Sequence, residues 1–254
     1  MVLDYILGST AIIALISLVG MLTVFFSRKL LIKVVSILIA FAAGTLLAAA
    51  FLELLPEAAA EGSPVFLMTF VGILVFFIME TYLYWYHCHA GHYHEHEHEK
   101  KVHPIKPVGT LNLIGDGLHN FIDGMMIAGA FLVSFPIGIA TAIGVAAHEI
   151  PQEIGDFTIL LYSGYKRGKA LLLNFLVATT VVLGGITTYY LGHLFTFLPK
   201  YVIPFSAGGF IYMACADLLP DLKTEPTIKK ATLQLIALLV GVALIAAVIF
   251  FVPE

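Results

Sequence analysis

Apolar residues run along this chain in long unbroken stretches, not in the alternating pattern of a strand or the one-sided stripe of a surface helix. Stretches of about twenty residues or more fall at 2–26, 31–55, 63–87, 108–134, 136–162, 168–194, 200–219 and 228–252. Each is long enough as a helix to cross the ~30 Å hydrocarbon core of a bilayer. The pattern therefore predicts eight transmembrane helices, and it leaves no length for a sizeable soluble domain. The fourth and fifth stretches are the most interrupted. GDGLHNFIDGMMIAGAF carries Asp116, His119, Asn120 and Asp123, and AAHEIPQEIGDF carries His148, Glu149, Gln152, Glu153 and Asp156.

Composition agrees with the pattern. Hydrophobic residues are 60% of the 254, charged residues 12%, and the mean hydropathy is +0.97, where soluble domains hold ~45–50% apolar residues. The reading is an all-α integral membrane protein with one transmembrane domain over residues 1–254. The first stretch lacks a basic leader and a small-residue cleavage site, so it reads as a retained span. Cys88 and Cys215 fall in different segments and form neither a disulfide framework nor a CxxC site.

Charge adds the orientation. The loops after helices one, three, five and seven carry Arg28, Lys29, Lys33; Lys100, Lys101, Lys106; Lys166, Arg167, Lys169; and Lys223, Lys229, Lys230, leaving Lys200 alone of the chain's 13 basic residues on the other side. Positive loops stay in the cytoplasm, which puts both termini outside. No nucleic-acid partner is expected.

A repeat lies in the outer helices. GTLLAAAFLELLPE at 44–57 and GGFIYMACADLLPD at 208–221 align at a constant offset of 164, sharing the leading Gly, an acidic residue, Leu-Leu-Pro and a final acidic residue. One segment closes helix two and the other closes helix seven, which run in opposite directions in this topology. Matching motifs of opposite direction mark an inverted repeat. The expected layout is 3+2+3, with helices 1–3 and 6–8 related and a central pair between them. Glu53 and Glu57 then stand near the outer mouth, and Asp217 and Asp221 near the inner mouth.

The central pair carries the chemistry. At ~100° per residue, Asp116, His119, Asn120 and Asp123 share one face of helix four. His119 with Asp123 and His148 with Gln152 are i, i+4 pairs, with Glu149, Glu153 and Asp156 on the adjacent stripe. A Ser134-Phe135-Pro136 turn makes the two helices antiparallel neighbours. Five carboxylates at mid-depth would cost about 12–17 kcal/mol at ~2.5–3.5 kcal/mol each if unpaired, which exceeds the stability of a typical domain. A metal cation would compensate, and imidazole with carboxylate suits zinc, iron(II) or manganese. Pro151, which lacks an N–H, is expected to distort helix five near Ala147.

HNFIDG and HEIPQEIGDF resemble the signature helices of the ZIP family of divalent-metal transporters, in the branch whose fifth helix reads His-Glu-x-Pro-His-Glu followed by Gly-Asp-Phe. The resemblance extends to helix count, topology, the GTL…LLPE segment and the His-rich third loop. It implies a binuclear metal centre. His119, Asp123, His148 and Gln152 match one site, while Asn120, Glu149 and again Gln152 match its neighbour, with Glu153 beside them. Asp116, Asp156 and Asn174 are further candidates. Gln152 stands where the family usually has His or Glu, and a neutral amide bridges two metals poorly. Asp123 is shorter than the Glu of some members.

His87, His89, His92, His94, His96 and His98, with Cys88 and His103, crowd a cytoplasmic loop at 87–107. Such a tract can chelate borderline metals after their passage. Glu80 and Trp85, near the inner end of helix three, read as interfacial anchors. Two other functions fit parts of this pattern. An intramembrane metalloprotease would use His148-Glu149, but the fifth position of HExxH is Gln152 and a proline intervenes. A metal sensor would bind without moving ions. The reading taken forward is a divalent-cation transporter and not an enzyme. It imports zinc to the cytosol, with Fe2+, Mn2+ and Cd2+ as other possible cargo and no catalytic cofactor. Its place is the plasma or inner membrane, and the resemblance implies a homodimer.

Overall fold

The computed structural model describes residues 1–25, 28–90, 107–194, 198–222 and 227–251, and all regular structure among them is helical. In chain order the α-helices are α1 (Val2–Ile16), α2 (Arg28–Ala48), α3 (Leu55–Ala60), α4 (Val65–Ala90), α5 (Pro107–Val133), α6 (Phe135–Tyr162), α7 (Arg167–Ala178), α8 (Thr180–Leu194), α9 (Leu198–Tyr212), α10 (Leu219–Leu222) and α11 (Ile228–Phe251). A 3-10 segment, Ser17–Val24, tightens the end of α1. Among the described residues, four helical stretches are long and apolar enough to cross a membrane: Val2–Met21, Lys33–Ala60, Arg167–Gly192 and Ile228–Phe251. Val65–Thr81 is apolar but shorter. The outward surface is apolar too, with Phe66, Phe250, Phe251 and Ile228 exposed, as expected where lipid replaces water.

Two π-helical turns interrupt the rods. Ala49–Leu54 joins α2 to α3, and Met213–Leu218 joins α9 to α10. They occupy equivalent positions in the two repeated segments, offset by the same 164 residues. Neither was visible as a motif, because Leu-Leu-Pro reads as a helix end; in both copies the helix instead widens by one residue and continues through the proline. α6 runs from Phe135 to Tyr162 with Pro151 inside it.

Small residues set how closely the helices approach. Ala40, Ala42, Ala43, Ala48, Ala49 and Ala50 are buried along the α2 rod, the composition of a helix packed backbone to backbone in lipid. α2 crosses α11 where Gly44 meets Leu238 and Gly241 meets Phe41. An added Cβ on Gly44 would lie 2.9 Å from the Leu238 carbonyl carbon and overlap its oxygen. α9 crosses α4 in the same way, Gly208 meeting Thr69 and Gly72 meeting Phe205, with an added Cβ on Gly208 3.0 Å from the Thr69 carbonyl carbon. The two crossings use corresponding residues: Phe41 and Gly44 match Phe205 and Gly208 at the repeat offset, and Thr69 and Gly72 match Leu238 and Gly241 in spacing. α5 and α8 form a third close crossing, in which Gly124 abuts the Val181 carbonyl and Gly184 the Phe121 carbonyl. Thr180 Oγ1 also donates to Gly117 O at 2.8 Å, just after the break between α7 and α8.

Candidate metal centre

The site begins with a turn. Ser134 sits in extended backbone as N-cap of α6, its hydroxyl accepting from Ile137 N at 3.4 Å, with Pro136 in the first turn. A capped start one residue after α5 ends folds the two helices back on each other. Their polar stripes therefore face along their length. Both helices are free of lysine and arginine, so no side-chain ammonium or guanidinium on them balances the acidic groups.

Four side chains converge first. His119 and Asp123 come from α5 and His148 and Glu149 from α6, and one ligand atom of each lies within 4.8 Å of the others. His119 Nε2 is 3.2 Å from His148 Nε2. His148 Nε2 is 3.2 Å from Asp123 Oδ2 and 3.5 Å from Glu149 Oε1, and His119 Nε2 is 3.6 and 3.7 Å from the same two oxygens. All four residues are buried. Outside this cluster, neither carboxylate has a hydrogen-bond partner among the described residues. The two imidazole nitrogens and two carboxylate oxygens point at a common centre, which a divalent cation would fill with its charge balanced by Asp123 and Glu149. His148 Nδ1 faces Gly144 O at 3.2 Å; a backbone carbonyl on the far ring nitrogen presents Nε2 as the ligand. Phe76 of α4 packs its ring nearly perpendicular to that of His119, with centroids 6.1 Å apart, an apolar neighbour for the imidazole.

One helical turn toward the start of α5, a second group forms from Asp116, Glu153 and Asp156. Asn120 Nδ2 donates to Asp116 Oδ1 at 2.7 Å, Asn112 Nδ2 donates to Asp156 Oδ1 at 3.0 Å, and Asn174 Nδ2 of α7 donates to Glu153 Oε2. Gln152 is half-buried, and its side chain hydrogen-bonds Asp116.

The expected residues thus divide into two clusters. Glu149 joins His119, Asp123 and His148, whereas the resemblance assigns it to the neighbouring site with Asn120. Glu153, Asp116 and Asp156 assemble with Asn120 and Asn174 beside them. Glu53 and Glu57 are half-buried at the first π turn and in α3, outside both clusters. Asp217 lies in the second π turn and Asp221 in α10, and their side chains are outside the described residues. So are those of His87 and His89 at the end of α4, and all of His92, His94, His96 and His98. Glu80 is not merely an anchor, because it accepts a hydrogen bond from Tyr212 of α9. Sequence reasoning missed Asn112, although it stands four residues before Asp116 on the same face. It also missed the Gly144 carbonyl, which no side-chain pattern announces.

A fold with lipid-apolar helices around a buried imidazole–carboxylate cluster defines a multi-pass integral membrane protein. The family model described as ZIP zinc transporter matches residues 3–106 and 86–249, and the chain belongs to that family. Zinc transporter ZIP13 of Pongo abelii is 34% identical over 240 residues, which take in 85% of this chain and 67% of that protein. Zinc transporter ZIP13 of Homo sapiens is 36% identical over 160 residues, 59% and 43% of the two chains. The zinc transporter ZIP13 homolog of Drosophila melanogaster is 39% identical over 150 residues, 58% and 42%. The chain thus spans only about two fifths of the length of the last two relatives.

Proposed function

We propose that this protein carries zinc or a similar divalent cation across a membrane, toward the cytosol, through the His119–Asp123–His148–Glu149 site. The observation that carries the reading is the convergence of two imidazoles and two carboxylates, all buried, with one ligand atom of each within 4.8 Å of the others. Two imidazoles and two carboxylates are a donor set suited to a divalent cation such as zinc. Family membership and the relatives' printed names support zinc as the cargo.

The scaffold is read as eight membrane-crossing rods in a 3+2+3 layout, with 1–3 and 6–8 an inverted repeat. Paired π turns and paired glycine crossings support this, since duplication of one three-helix unit would produce both. The lysine-rich loops set the orientation, with both termini outside, in the cell membrane. Ions approach past Glu53 and Glu57, rest between α5 and α6, and leave past Asp217 and Asp221 toward the histidine loop. The assembly is a homodimer.

The test is flux. The chain is reconstituted in liposomes, and influx of Zn2+, Cd2+, Fe2+ and Mn2+ is followed beside His148→Ala and Asp123→Asn. Saturable uptake in the native chain that both variants lose supports the carrier. Stoichiometric binding with no flux of any ion replaces it with a membrane metal sensor.

A further inference from the structure

Where α7 begins, an apolar groove opens beside Arg167. We propose that it holds an acyl chain of an anionic phospholipid, whose headgroup phosphate is met by Arg167 and Lys166. The inference is independent of the metal site and requires only that the chain spans a bilayer.

The groove has a volume of about 240 Å³ and lies where the end of the first rod meets α6 and α7. Met21 and Phe25 line it from the first rod, Phe157 from α6, and Arg167, Gly168 and Leu171 from α7. Phe157 is 1% exposed, whereas Met21 and Phe25 are 42% and 73% exposed. The groove therefore has a buried floor and opens outward, away from the helix bundle. One apolar span ends at Met21 and another starts at Arg167, which places the groove where hydrocarbon gives way to headgroups. Gly168 keeps it open, since a Cβ there would meet nothing within 4 Å. Lined this way, it suits a stretch of hydrocarbon chain continuous with the surrounding lipid.

Charge decides which lipid. No aspartate or glutamate occurs between residues 5 and 52 or between residues 157 and 216, so neither the first rod beyond Asp4 nor α7 brings an acidic partner to Arg167. Asp156, next to Phe157 on α6, is engaged by Asn112 of α5. Among the described residues Arg167 forms no ion pair. Lys166 is the N-cap of α7 and gives the helix start no side-chain cap, while Lys169 lies over the Tyr165 ring, 5.5 Å from its centroid. Arginine, lysine and the unbonded amides of the first turn make the mouth of the groove positive. The helix start alone would name no ligand. Joined to an apolar groove at headgroup depth, the positive mouth selects a molecule with a phosphate and a hydrocarbon tail. A zwitterionic lipid carries its own cation toward the basic side chains, and an anionic one does not. The lysine-set orientation turns this mouth to the cytosolic leaflet, whose surface potential is negative.

A second apolar groove, between the first rod and Ile150 of α6, is lined by aliphatic side chains alone. Nothing in its lining distinguishes one headgroup from another, so it serves as an internal control.

The test is photolabelling of the purified full chain in phosphatidylcholine nanodiscs, doped with phosphatidylglycerol or phosphatidylcholine that carries a diazirine in its acyl chain. Labelled residues are mapped by peptide mass spectrometry. Phosphatidylglycerol should label Met21, Phe25 or Leu171 and exceed phosphatidylcholine there roughly fivefold, the effect of one basic residue at an anionic surface. The second groove should label equally with both lipids. Lys166→Gln combined with Arg167→Gln should erase the preference. Gly168→Leu, which fills the groove without a clash and suits a helix better, should bring phosphatidylglycerol labelling down to that of phosphatidylcholine. Lys33→Gln, a change on α2 that touches neither groove, should leave the preference intact. Gel filtration and melting establish that each variant is folded. Equal labelling by the two lipids in the native chain overturns the site, as does a preference that survives both the paired glutamine change and Gly168→Leu. Displacement of phosphatidylglycerol by millimolar inorganic phosphate marks a free-phosphate site instead and also overturns it.

Discussion

Gly44 and Gly208 stand at corresponding points of the two repeats, and replacing each by alanine tests whether the repeats are mechanically equivalent. A Cβ at Gly44 would lie 2.9 Å from the Leu238 carbonyl carbon, and one at Gly208 would lie 3.0 Å from that of Thr69. Ordinary carbon–carbon contact needs about 3.5–4.0 Å, and the carbonyl oxygens lie closer still to the added Cβ atoms, so each pair of rods must part by about 1 Å or more. Both obstacles are backbone, which cannot swing away as a flexible side chain can. Overpacking of this kind costs about 1–3 kcal/mol. Alanine recovers up to ~1 kcal/mol through its better helix propensity, leaving a net loss of about 0–2 kcal/mol at both sites. Gly8 is the control, since an added Cβ there meets nothing within 4 Å and Gly8→Ala should stabilise slightly. Thermal melting of the three variants in one detergent gives the comparison. The two crossing variants should fall together and below Gly8→Ala. A fall in only one of them, or a rise in all three, would refute the equivalence of the crossings.

Other outcomes follow from the site and its supports. Ligands must be deprotonated to hold a metal, so uptake should decline as pH is lowered from 7 to about 5; flux independent of pH across that range would count against an imidazole-containing site. Gln152→His restores the ligand type usual at that position in the family, and zinc affinity measured by competition should rise roughly tenfold, the scale on which metal-site partners act. Ser134→Ala removes the cap of α6 and should cost about 1 kcal/mol in melting, with the ion ranking of flux unchanged.

Much of this molecule was legible in its sequence because lipid imposes simple rules. Apolar runs located the rods to within a few residues, and the i, i+4 spacing of His119 with Asp123 placed both on one face. The repeat was legible as Leu-Leu-Pro between acidic residues. What it means for the backbone was not, because a π turn changes hydrogen bonding by one residue and leaves no signature in residue type. Pro151 removes one backbone N–H, and α6 continues through it as helix. The grouping of the carboxylates also escaped the pattern. Periodicity places Glu149 and Glu153 on one stripe but a helical turn apart, and Asn174 of α7, which meets Glu153 in the second cluster, comes from a helix whose approach no local pattern announces.

The glycine notches also constrain how this molecule can move. Where Gly124 rests on the Val181 carbonyl and Gly184 on that of Phe121, with Thr180 tied to Gly117, α5 and α8 are keyed together like a tongue in a groove. Lengthwise slippage at that seam would drive backbone into backbone. α2 with α11 and α4 with α9 are keyed in the same manner. The smooth seams are those between the keyed pairs, where side chains such as Phe76 against His119 make the contact. Spin labels on α5 and α8 should therefore hold a fixed separation through the working cycle, while labels on α5 and α4 register the stroke.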